Sequence, residues 1–134
     1  MPKLKKSMNK VQIINFEKIH AQLRGFYEDI TILVKKNPKE EMNVFKLKLI
    51  NKVLAQANII VGDTKPFDDF EGFDIDGQMP NNGDVVMILG QYINCMEVIK
   101  KDHVHPFSGR WYWSVDGNNK SFEISTSAPA DLKK

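Results

Sequence analysis

At 134 residues, with 42% hydrophobic and 27% charged residues, the chain has the size of one domain and a globular rather than disordered composition. Its longest purely apolar run, Val85 to Leu89, is five residues, which excludes a transmembrane helix. The single Cys95 excludes an internal disulfide, and the basic start, Met1 to Lys6, lacks the apolar stretch of a secretory signal, so a cytoplasmic setting is expected.

The net charge of +2 conceals an uneven spread. Residues 1–62 carry twelve basic and five acidic groups, whereas residues 63–84 carry seven acids against Lys65 alone. Only two of the nineteen basic residues are Arg. Arg makes the bidentate contacts that read phosphate and base edges, so its scarcity argues against a dedicated nucleic-acid reader.

The first helix is predicted over 15–36. Phe16, Ile19, Leu23, Phe26, Ile30 and Leu33 recur every three or four residues, which keeps one helical face apolar. Asn15 is a candidate N-cap, although Ile13 extends the stripe toward Asn9, and Lys35 and Lys36 suit a helix C-terminus. Pro38 cannot continue this helix but suits the first turn of another, with Asn37 as cap and Glu40 three residues on. The second helix is therefore predicted over 38–61, with Met42, Phe45, Leu49, Val53, Ala57 and Ile60 as its inner stripe and Gly62 as its stop. So short a turn predicts a helical hairpin.

The segment 63–83 mixes two prolines and three glycines with Phe67, Phe70, Phe73, Ile75 and Met79, which predicts an ordered acidic connection anchored by its apolar residues. A third helix is predicted over 82–101, capped by Asn81 or Asn82, and is expected to be the most buried. Gly90 in its middle costs about 1 kcal/mol relative to Ala, which a close approach by another helix would account for. Alternating aromatic and β-branched residues on either side of Asp116 to Asn119 predict a β-hairpin over 110–126, with Trp111, Trp113 and Val115 on one face. The tail from Ala128 is expected to fray. The expected fold is thus mainly α, one domain over 1–134: a three-helix bundle with a C-terminal β-hairpin.

Chemistry-bearing motifs are sparse. His105, Phe107, Gly109 and Arg110 resemble part of the active-site loop of Fic-type AMP-transferases, but the acidic residue and the Gly-Asn-Gly run of that loop are missing and a strand follows, so the activity is not carried over. His103 and His105 with Cys95 are a candidate metal set, weighed against two histidines in the loop that leaves the third helix. Asp74, Asp76 and Gly77 fail as a calcium loop: with Gly77 sixth, Gly72 and Gly83 fall where carboxylates are needed, leaving only a weak cation site among Asp68, Asp69, Glu71, Asp74 and Asp76. Trp111, Tyr112 and Trp113 as a base-stacking platform are weighed against core packing. No catalytic residue and no cofactor can be named.

The leading expectation is a small cytoplasmic protein-interaction module, an inhibitor or immunity-type factor. It would bind a protein partner through Asp68, Asp69, Phe70, Glu71, Asp74 and Asp76, with the aromatics as anchors and the acids steering association. The alternative is a nucleic-acid-associated helical module acting through Lys39, Lys46, Lys48 and Lys52, and a distant third is a metal-dependent enzyme using His103 or His105.

Overall fold

The computed structural model describes residues 7–130, and among them the chain is mainly helical, with a small antiparallel sheet toward the C-terminus. Helix α1 spans Lys10–Lys36, α2 spans Val44–Val61 with a 3-10 turn at Gly62–Thr64, and α3 spans Asn82–Lys101. Strands β1 (Val104–Phe107), β2 (Arg110–Trp113) and β3 (Ser125–Thr126) form one sheet in the order β1-β2-β3. The chain divides into two compact units: a central one, Lys18–Met96, and a terminal one formed by the described parts of Met1–Glu17 and Glu97–Lys134.

In the terminal unit, α1 starts earlier than its expected boundary at residue 15. Asn9 caps it: the Gln12 backbone N–H donates to the Asn9 Oδ1 at 2.8 Å, and the Asn9 N–H donates back to the Gln12 Oε1 at 2.9 Å. This reciprocal box satisfies two otherwise orphaned donors, and Ile13 and Phe16 just inside it are fully buried.

The predicted hairpin is present only in part. The tight turn lies instead between β1 and β2 at Ser108 and Gly109, both with positive φ, where a loop was expected. β2 and β3 do pair antiparallel, but only through Trp111 with Thr126 and Tyr112 with Ser125. Asp116 and Gly117 adopt the positive φ of a hairpin turn, yet no ladder follows on from them. The reason is competition: Val115 bridges Met8, and the Asp116 N–H donates to the Met8 carbonyl, so the continuation of β2 is already paired. Trp113 and Val115 are buried and Trp111 is half-buried. The expected fraying from Ala128 is not seen at its start, where Pro129 is buried; residues 131–134 lie outside the described residues.

In the central unit, Ile19, Leu23 and Ile30 of α1 are buried as the spacing predicts, and Phe26 and Leu33 are half-buried. α2 departs from expectation in two ways. It starts at Val44, not at Pro38, and its cap is Asn43, whose Oδ1 accepts from the Lys46 N–H at 3.0 Å. Residues 37–43 have other partners. The Pro38 and Glu40 carbonyls accept from the Gly83 and Asn82 N–H groups, and the Met42 N–H donates to the Pro80 carbonyl. The start of α3 needs acceptors for its unpaired donors, and a Pro38 helix would remove them. Asn81 closes the same end by a reciprocal box with Asp84.

α2 also follows its predicted stripe only in part: Val53 and Ala57 are buried as expected, and so is Met42 ahead of the helix, but Phe45 and Leu49 are turned outward. Leu47, Ile50, Val53, Leu54, Ala57 and Val61 are buried, whereas Phe45 is 70% and Leu49 37% exposed. Both sets fit helical spacing. The buried set, at intervals near 3 and 4 from Leu47, holds the longer run of aliphatic side chains.

α3 buries Val85, Ile88, Leu89, Tyr92 and Met96, a share comparable to that of α2 rather than a larger one. Gly90 has the expected cause: a Cβ there would stand 3.3 Å from the ring of Tyr27 on α1.

Candidate functional site

The acidic connection lies wholly in the central unit, and its own sequence explains why it is ordered without being helical. Asn51, on α2, acts as a surrogate backbone. Its Nδ2 donates to the Phe73 carbonyl and its Oδ1 accepts from the Phe73 N–H, both at 2.8 Å. Gly72 makes room for this clasp, since a Cβ there would lie 3.1 Å from the Asn51 Oδ1. Two turns further along α2, the Asn58 Nδ2 donates to the Glu71 carbonyl at 3.2 Å, and its Oδ1 accepts from the Tyr92 hydroxyl of α3. Phe70 packs edge-on against Phe73 at 5.2 Å and tilted against Tyr92 at 6.2 Å. Burial pushes the Tyr92 hydroxyl pKa upward, partly offset by its bond to Asn58, so the phenol remains a neutral donor at physiological pH.

Replacing Asn51 with Ala would strand both polar groups of Phe73, at a cost of about 1–3 kcal/mol. Asn51→Asp keeps the acceptor and loses the donor, so its loss should be intermediate. Urea denaturation of the three proteins measures this; equal midpoints would mean that Asn51 does not hold the connection.

The candidate binding residues separate into distinct roles. Asp68, Asp69 and Asp76 are exposed. Glu71 is exposed too, but its Oε1 is paired with the Lys65 Nζ at 2.8 Å. Asp74 accepts from the Asp76 and Gly77 N–H groups through Oδ1, which shapes the turn. Phe70 is an anchor, held against Phe73 and Tyr92. Beside it opens a cleft of about 360 Å³ lined by Phe70, Phe73, Gln78, Met79, Pro80, Asp84, Met87 and Ile88. That is the lower range of volumes found for binding clefts. Sequence reasoning missed Met79, Asp84 and Met87 as part of a site; the mix of methionine and acid near Phe70 was its only signal.

The other candidates do not assemble as sites. Among the described residues no three His, Cys, Asp or Glu side chains gather to hold a metal ion, which removes both the Cys95, His103 and His105 set and the weak cation site of the acidic connection. The Cys95 Sγ donates to the Thr64 carbonyl at 3.4 Å, and burial raises its pKa, which keeps it a thiol. The His103 Nδ1 meets the Ile99 carbonyl at 2.8 Å, at the end of α3.

His105 lies on β1 of a hairpin rather than at a helix N-terminus, so the geometry of the Fic-type loop is absent. Its Nδ1 is 2.8 Å from the Ser114 Oγ, and the Ser114 hydroxyl donates to the Asn119 Oδ1 at 2.8 Å. The hydroxyl proton therefore points away from the imidazole, and Ser114 is buried, so the pair is a clip between strands rather than an activated nucleophile. Its Nε2 is buried without a hydrogen-bond partner, and its ring is surrounded by Tyr112 and Phe122. Trp113 is fully buried, so the three consecutive aromatics do not form a stacking platform. Lys39, Lys46, Lys48 and Lys52 are all exposed.

No family model matches the chain, and neither a curated protein nor a solved structure matches it.

Proposed function

We propose that this chain is a small cytoplasmic protein-interaction module, an inhibitor- or immunity-type factor in which a three-helix bundle carries an acidic docking surface for a basic protein. The observation that carries this reading is that exposed Asp68, Asp69 and Asp76 stand on a connection clasped by Asn51 and Asn58, whose Phe70 and Phe73 line a cleft of mixed polar and apolar character. A loop ordered before binding loses little conformational entropy when a partner arrives, and its carboxylates raise the rate of encounter with a positive surface. The nucleic-acid alternative has weaker support. Lys48 and Lys52 stand beside exposed Phe45 and Leu49, a mixture suited to a protein contact rather than to a phosphate backbone.

The test is capture of a partner by the wild-type chain and by a variant with Asp68, Asp69, Asp74 and Asp76 changed to Asn. Asn keeps the shape and, at position 74, the acceptor that forms the turn, so folding is preserved. Capture should fall by roughly tenfold or more at physiological salt, mainly through slower association. Equal capture by both proteins would remove the acidic surface from consideration.

A further inference from the structure

The outer face of α2 is unusual for a helix whose opposite face forms a core. Phe45 and Ile59 are 70% and 75% exposed, and Leu49 is 37% exposed. Lys48 and Lys52 lie on that same face, and α2 contains no acidic residue. Phe45 and Leu49 are four apart, as are Lys48 and Lys52, so each pair stacks along the helix and the two pairs are neighbours. This is an apolar ridge with a basic border.

The cleft described above has the complementary character. Its walls include Phe70, Phe73, Met79 and Met87. Asp69 and Glu71 flank Phe70 in the chain, Asp74 follows Phe73, and Asp84 lines the wall itself. Methionine walls adapt to the shape of an inserted side chain, and Met87 is 55% exposed at the cleft. The Phe45 ridge of α2 faces away from the cleft of its own chain. Asn51 and Asn58, which hold the connection, project roughly 130° around α2 from the Phe45 ridge, at ~100° per residue.

We propose that the α2 ridge of one copy of this chain docks in the acidic cleft of a second copy. Phe45 and Leu49 enter between Phe70, Phe73, Met79 and Met87, while Lys48 and Lys52 meet the carboxylates of the connection. The proposal rests on reading the acidic connection as a docking surface, and names a basic partner for it. Because the ridge and the cleft are different patches, each copy has one of each to offer, and association can proceed beyond a dimer unless a ring closes.

Sedimentation equilibrium of the full chain tests this, between about 10 µM and about 1 mM protein. The weight-average mass should rise above 15.4 kDa with concentration, and the rise should shrink at about 0.5 M salt, where charges are screened. Two variants separate the patches: Lys48→Glu with Lys52→Glu on the ridge, and Asp69→Lys with Asp76→Lys on the acidic connection that borders the cleft. All four positions are exposed, and circular dichroism checks that each variant is folded. Each variant alone should remain at the monomer mass. An equimolar mixture should reach twice that mass or more, because one protein supplies an intact cleft, the other an intact ridge, and the two charge-reversed patches are complementary to each other. A wild-type chain that stays monomeric throughout would overturn the proposal, as would a mixture that does not associate. If the cleft variant self-associates like the wild type, the acidic surface itself is the wrong reading. If the wild type is monomeric but the Asp-to-Asn protein still loses a foreign partner, only the self-pairing fails.

Discussion

Leu23→Asp should leave little folded protein at 25 °C. Leu23 is fully buried on α1, in the middle of a stripe that continues through Ile19 and Ile30. Removing the isobutyl group alone, as in Leu23→Ala, costs about 2–5 kcal/mol through lost transfer energy and the cavity left behind. Asp adds a carboxylate to a fully buried position, so it must either be desolvated or be protonated at a further cost of several kcal/mol. Against a total stability of about 5–15 kcal/mol, that sum is most of what the chain has. Thermal and urea melts followed by circular dichroism of wild type, Leu23→Ala and Leu23→Asp should show a graded loss. A Leu23→Asp protein that melts with the wild type would mean that the stripe is not a core.

Trp113→Ala should have a similar effect on the terminal unit. Trp113 is fully buried, meets Phe16 edge-on at 5.1 Å, and donates its indole N–H to the Glu17 Oε1 at 2.7 Å. The same Oε1 accepts from the Thr126 hydroxyl at 2.8 Å. One carboxylate oxygen of α1 thereby fastens both β2 and β3. Truncation to Ala is expected to cost about 3–5 kcal/mol. Trp113→Phe keeps most of the ring packing and loses the donor, for about 1–3 kcal/mol. Tryptophan fluorescence monitors the unfolding of the Phe16 and Glu17 surroundings directly in the wild type. Equal stability of the Ala and Phe variants would show that ring packing contributes nothing beyond the hydrogen bond.

The local signals in the sequence were strong where one physical cause acts alone. The α1 stripe, a cap at Asn81 or Asn82 and the close approach at Gly90 each depend on a local cause, and each is seen, the cap at Asn81. The signals misled where two segments compete for the same groups. Pro38 reads as a helix start, but the donors at Asn82 and Gly83 take the carbonyls of Glu40 and Pro38. Asp116 and Gly117 read as a hairpin turn and have its backbone, but Met8 occupies the strand they would have extended. Phe45 and Leu49 read as core because helical spacing does not say which of two apolar faces turns inward. The acidic connection was legible as ordered from its aromatics. Its cleft was not, because Met79, Asp84 and Met87 join it only through the turn that brings α3 beside Phe70. Asn51 was silent as well: an Asn in a helix gives no hint that its amide will stand in for a strand partner.

The Glu17 fastening also bears on the order in which the molecule is made. Its two donors lie 96 and 109 residues further along the chain. During synthesis from the N-terminus, this carboxylate is hydrated and idle until Trp113 and Thr126 have emerged. The clasps of Asn51 and Asn58 to the connection span only 22 and 13 residues. Closing such short loops is entropically cheaper and is available much sooner. Translation itself therefore orders the acidic surface before the sheet that locks onto α1.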